Sequence, residues 1–287
     1  MKRVLSGVVG LLMACWWLAG IAVAAEPQQI TNDGRLKQDP VFTGRGEQIV
    51  YSAQDESPQL VLRRLNLDDS RNERLRPDST LPEFRPCYSS DQNVFSFLQM
   101  TGNDVLQLKV ELPLQQRTLS IPASKKTVSH GTITPDGQEV VYSAAGQIYS
   151  QAIDKGETKQ LTQTVGRNNH PSVSPDGHRI AFSSSRDGDY EIYTMNRDGS
   201  DLRRLTDSRG LDIRPAWSAD GQWLAFTTAR HGDYEIYAMR FDGSDAQRLT
   251  HNPERDDYAS WHPDGERLVV VTERGGATDL VLVAFEP

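Results

Sequence analysis

Three stretches decide the reading of this chain: Asn169-His170-Pro171-Ser172-Val173-Ser174-Pro175-Asp176-Gly177, Ile213-Arg214-Pro215-Ala216-Trp217-Ser218-Ala219-Asp220-Gly221 and Asp257-Tyr258-Ala259-Ser260-Trp261-His262-Pro263-Asp264-Gly265. A fourth copy lies upstream at Ser129-His130-Gly131-Thr132-Ile133-Thr134-Pro135-Asp136-Gly137, and two degenerate ones span Phe84 to Gln92 and Gln38 to Gly46. With Arg45, Asp91, Asp136, Asp176, Asp220 and Asp264 as markers, the spacings are 46, 45, 40, 44 and 44 residues. A repeat of this length with strand-rich content is the mark of propeller blades.

Each unit reads as a four-stranded antiparallel sheet. An apolar tripeptide such as Ala216-Trp217-Ser218 is expected to start the first strand. Asp220-Gly221 turns the chain, because both residue types tolerate positive φ. The second strand follows as Trp223-Leu224-Ala225-Phe226 and the third as Tyr234-Glu235-Ile236-Tyr237. A second Asp-Gly turn, Asp242-Gly243, leads to a fourth strand at Arg248-Leu249-Thr250. No segment carries an amphipathic helical period. The expected fold is all-β, a six-bladed propeller. Its ring should close through the N-terminal residues 28–31, since the sixth unit ends at its third strand and Gln28-Gln29-Ile30-Thr31 matches Gln247-Arg248-Leu249-Thr250. Such closure leaves no open sheet edge at the seam.

Working outward, residues 4–25 carry no charge and follow Met1-Lys2-Arg3. That run of 22 residues is long enough to span a bilayer. It ends in Ala22-Val23-Ala24-Ala25, the small-residue pattern of a cleaved export signal, so cleavage after Ala24 or Ala25 is expected. Two alternatives are an uncleaved anchor and lipidation at Cys15, whose preceding Leu12-Met13-Ala14 fits a lipobox poorly. The expected organisation is residues 1–25 as signal peptide and 26–287 as propeller. The net charge of −8 becomes 29 − 39 = −10 once Lys2 and Arg3 are removed. That acidity, with a pI near 5.3, argues against a nucleic-acid partner. After cleavage Cys87 is the lone thiol, so no intramolecular disulfide is expected, and Cys87 reads as a small buried residue.

The repeat resembles that of the TolB-type periplasmic propellers. The residues that carry this are His170 to Gly177, Arg179-Ile180-Ala181-Phe182-Ser183, Asp187 to Asn196, and Asp198-Gly199 through Leu205-Thr206. The likeness is strong in units three to six and weak in the first two. It implies an exported binding protein of the bacterial cell envelope, monomeric, whose partner is an envelope protein or peptide, with a Pal-like lipoprotein as the family's example. Membrane association would come through that partner or through a retained anchor. TolB proteins carry a separate α/β domain before the propeller. Here two or three residues separate the signal from the first inferred strand, so a propeller without that domain is expected.

Chemistry-bearing motifs are sparse. No Gly-x-Ser-x-Gly elbow, His-Glu-x-x-His helix or Cys-x-x-Cys pair occurs. The acidic pairs Asp68-Asp69 and Asp256-Asp257 read as turns, and Arg186-Asp187-Gly188-Asp189 lacks the length of a calcium loop. The informative set is a column, the residue just ahead of each first-strand apolar pair: Asp39, Arg85, His130, His170, Arg214 and Tyr258. Innermost strands line a propeller's axis, so these six should meet at the channel mouth and form the partner-binding rim. They could equally hydrate a tunnel, or pair internally as Asp39 with Arg85. No catalytic residue, metal or cofactor is expected. The alternative is a metal-dependent lyase or hydrolase of an acidic saccharide. It would use His130 and His170 as ligands, completed by Asp39 or a glutamine, with Arg85 and Arg214 on carboxylates.

Overall fold

The computed structural model describes residues 26–56, 58–102, 105–121 and 127–287. The export segment assigned to residues 1–25 lies outside them. Six four-stranded antiparallel sheets are arranged as blades. The innermost strands are Lys37–Thr43, Glu83–Tyr88, Val128–Ile133, Asn168–Val173, Asp212–Trp217 and Asp256–Trp261. Each packs on its neighbours, and Lys37–Thr43 touches both Glu83–Tyr88 and Asp256–Trp261, so the ring is closed. Within the first five blades the strands follow chain order outward from the axis. Among the described residues the single helical element is the 3-10 turn Pro113–Gln115.

The middle strands explain why the repeats read as apolar runs rather than alternations. Both faces of each blade are covered, so Ile180, Ala181 and Phe182 are all fully buried in sequence, as are Leu224, Ala225 and Phe226. The core is therefore a series of apolar clusters, one between each pair of adjacent blades. Between blades five and six, Trp223 and Trp261 both meet Phe285 edge-on, with ring centroids 4.9 and 4.8 Å apart. The indole N–H of Trp261 reaches across to the Ala216 carbonyl at 3.0 Å, and that of Trp217 to Ser172 at 3.1 Å. The recurring aromatic residues thus hold blade to blade.

The Asp-Gly turns have a shared mechanism. The Ser174 hydroxyl donates to Asp176 at 2.5 Å and accepts the Arg179 N–H at 2.9 Å, while Gly177 takes φ +74. Ser218 with Asp220, Ser89 with Asp91 and Thr134 with Asp136 repeat it. Ala216 and Trp217, expected to open the first strand, instead end it. That strand begins four residues earlier at Asp212, because the buried polar residue there also pairs with the second strand.

Closure follows the expected register. Gln28–Gln29 pairs with Leu282 and Val281 as the outer strand of blade six. One bond recurs at this position around the ring: a threonine hydroxyl caps a third-strand N–H. Thr162 does so for Ile148 at 2.8 Å, Thr206 for Ile192 and Thr250 for Ile236 at 2.9 Å, and Thr31 for Leu280 at 2.8 Å. The fourth instance joins the two ends of the described chain. Lys37, with a fully buried side chain, adds Nζ bonds to the Thr278 carbonyl at 2.8 Å and to Asp279 at 3.2 Å. A buried ammonium requires such saturation with acceptors.

Candidate functional site

The six column residues meet on the axis. All line one cavity of about 190 Å³, together with the residues that follow them, among them Pro40, Pro86, Pro171 and Pro215. Five of the six hold a left-handed backbone: Asp39 (φ 51), Arg85 (φ 58), His170 (φ 53), Arg214 (φ 56) and Tyr258 (φ 56). Each sits in a β-bulge where strand pairing shifts register, as between Asn169 and Ser172. A non-glycine residue in this region costs roughly 1–2 kcal/mol, and five in one column concentrate that strain on the axis. Bulges also re-aim side chains. His130 departs from the pattern. Its blade has Gly131 where four others have proline, and the register slips one residue earlier, between Val128 and His130.

Hydroxyls on second strands support the bulges. Ser183 accepts the Arg214 N–H at 3.1 Å and lies 3.3 Å from His170 Nδ1. Ser52 accepts the Arg85 N–H at 3.0 Å. Ser143 lies 3.4 Å from His130 Nδ1.

Blades two and five are diametrically opposed in a six-membered ring, so Arg85 and Arg214 start from opposite walls. Their situations differ. Arg214 donates to Asp257 at 3.1 Å and to the Tyr258 hydroxyl at 3.4 Å, with its guanidinium 4.3 Å from the Tyr258 ring centroid. Asp257 is itself saturated by Thr227 at 2.8 Å, by its neighbour's N–H at 2.9 Å and by Arg255. Among the described residues Arg85 has one ion pair, 3.8 Å from Asp39 Oδ1, which is beyond hydrogen-bond length. Four buried polar side-chain atoms lack a partner among the described residues, and two belong to this ring: Asp39 Oδ2 and His130 Nε2.

Burial lowers both histidines well below the usual imidazole range. For His130 the His170 ring and then Arg85 and Arg214 add to this, and for His170 Arg214 and then Arg85 do so. The rings lie 3.8 Å apart between centroids and are both neutral at pH 7. Burial raises the Asp39 carboxyl, against the pull of Arg85 and Arg214. It also raises the Cys87 thiol, a setting unsuited to a nucleophile.

Sequence reasoning misplaced one contributor. Asp256 and Asp257 are not turn residues but lie in the innermost strand of blade six, 3% and 1% exposed. The signal was there in the column: each stands where the other units carry Asp212, Ile213 or Asn168, Asn169, ahead of the bulge. Among the described residues no three His, Cys, Asp or Glu side chains converge as a metal-holding group.

Residues 115–286 match the TolB beta propeller domain, which is more than half of the chain. The chain belongs to the TolB beta-propeller family. A curated relative, the uncharacterized protein Atu1656 of Agrobacterium fabrum, is 43% identical over 63 residues, 21% of this chain and 22% of that protein. A TolB-assigned structure from Agrobacterium tumefaciens superposes with a TM-score of 0.70 at 22% identity, covering 90% of this chain and 93% of that one. TolB from Acinetobacter baumannii gives 0.70 at 19% identity, covering 85% of this chain and 66% of that one. An oligogalacturonate lyase in complex with manganese shares the fold with a TM-score of 0.62 at 13% identity, over 92% and 94% of the two chains.

Proposed function

We propose that this TolB-family propeller is an exported, non-enzymatic scaffold that docks a protein or peptide partner of the bacterial cell envelope at its axial cavity. The carrying observation is the convergence of five residues with left-handed backbone around one cavity. In this reading Asp39, Arg85 and His130 meet the partner, while His170, Arg214 and Tyr258 shape the opposite wall. The Tol–Pal type of role, with a Pal-like lipoprotein as partner, is the family's precedent. The uncharged run from Val4 to Ala25 supports export to the periplasm, and the protein would act there as a monomer.

The lyase reading draws on the adjacent histidines. Against it, their Nδ1 atoms face Ser143 and Ser183, and no third ligand of the right chemistry stands beside them among the described residues. The test is affinity purification from the native envelope followed by mass spectrometry, with and without chelator. A partner recovered equally in both, and lost in Arg85→Glu, supports docking. Chelator-sensitive turnover of an acidic saccharide would overturn it. Arg85 is the better probe than Arg214, because Arg214 is hydrogen-bonded to the buried Asp257 at 3.1 Å whereas Arg85 stands 3.8 Å from Asp39.

A further inference from the structure

The half of the ring contributed by blades one to three offers three unmet valences in a row. Asp39 Oδ2 is a buried acceptor with no donor among the described residues, although the Ser52 hydroxyl acts on the same carboxyl. The Arg85 guanidinium makes no hydrogen bond among the described residues, its ion pair to Asp39 being 3.8 Å long. Ser143 Oγ lies 3.4 Å from His130 Nδ1; in the tautomer in which that hydroxyl donates to Nδ1, the neutral ring carries its proton on Nε2, a buried donor with no acceptor among the described residues. Buried polar groups are ordinarily satisfied, so adjacent orphans around one cavity describe the complement of a ligand. Two donors, one of them a fork suited to bidentate pairing, call for a carboxylate. The lone acceptor calls for an N–H or O–H close beside that carboxylate.

We propose that Asp39, Arg85 and His130 together receive one residue of an extended partner peptide that carries a carboxylate next to an amide N–H. The carboxylate bridges Arg85 and His130, and the amide donates to Asp39. An aspartate side chain and a chain terminus share this chemistry. A cavity of about 190 Å³ is of the size of a single such residue. This rests on the docking reading and specifies what is docked.

The test is calorimetric titration of the full chain with small probes. N-acetylglycine stands for a chain end and N-acetylaspartic α-amide for an internal aspartate. Propionate lacks the donor, N-acetylglycinamide lacks the carboxylate, and galacturonate offers the saccharide alternative. At least one acetylated acid should bind tenfold or more tighter than propionate, and the better of the two identifies the source. Arg85→Gln should weaken it at least tenfold while its melting temperature stays near the parent's. Asp39→Gly, which removes the acceptor and tolerates the positive φ, should erase the preference over propionate. Equal binding of N-acetylglycinamide, unchanged affinity in Arg85→Gln, or tighter binding of galacturonate would overturn the proposal. Absence of probe binding with an envelope partner still recovered refutes the carboxylate assignment alone. Probe binding with no partner recovered refutes the docking reading alone.

Discussion

In blades four to six, the charged group that the column brings to the axis is answered from within. Arg214 finds Asp257 and Tyr258, and Ser183 serves both His170 and the Arg214 backbone. In blades one to three the same column leaves Arg85 at 3.8 Å from its carboxylate and leaves Asp39 and His130 with unpartnered atoms. The contrast follows the repeat itself. The well-formed units are the satisfied ones, whereas the two degenerate units, with the Gly131 variant beside them, hold the loose ends. Repetition in a propeller serves packing between blades.

The sharpest way to break this comparison is to remove one carboxylate from each half. Asp257→Ala strips a buried partner from Arg214 and Arg255 and should cost about 3–5 kcal/mol. For a chain of this size that lowers the melting temperature by roughly 10 °C. Asp39→Asn removes an under-compensated charge at a left-handed position that asparagine tolerates. Its melting temperature should stay within about 2 °C of the parent's, or rise. Thermal denaturation followed by circular dichroism reads both.

Where the halves meet, His130 and His170 set a pH dependence. Their folded-state pKa values lie below the unfolded value of 6.5, so below about pH 6.5 the unfolded chain binds more protons and stability falls as pH drops. Each histidine contributes about 1.4 kcal/mol per pH unit in that window. Urea unfolding between pH 7 and 5 should show a steep loss in the parent, reduced in the double variant His130→Asn/His170→Asn. Equal slopes would mean that the pair is solvated.

A smaller effect sharpens the same contrast among hydroxyls. Ser183→Ala frees the N–H of a strained residue and should cost about 1–2 kcal/mol. Ser96 Oγ is buried without a partner among the described residues, so Ser96→Ala should leave stability unchanged or slightly raised, within about 0.5 kcal/mol. Denaturation midpoints separate the two.

The fold was legible because a 40-to-46-residue period runs through every unit and the Asp-Gly turn through units three to six, and because Thr31 repeats the role of Thr206 and Thr250 at the seam. The membership of the axial column was legible for the same reason, since residues at one place in the repeat share one place on the ring. Strand starts were not, because the bulge interrupts the pattern just where the polar residues stand, and Ala216-Trp217 reads as a beginning when it is an end. Nor was the division of labour between the two arginines. That depends on Asp257, which a linear reading takes for a turn residue and the ring buries beside Arg214.

The central claim is that the unsatisfied half of the ring holds the partner and the satisfied half holds the ring. Arg85→Gln and Arg214→Gln compared side by side in envelope pull-downs test it most directly, with folding of each checked by melting temperature. The account predicts that Arg85→Gln keeps its stability and loses the partner, whereas Arg214→Gln loses stability and, while folded, keeps the partner. Partner loss confined to Arg214→Gln, with Arg85→Gln binding as the parent does, would contradict it.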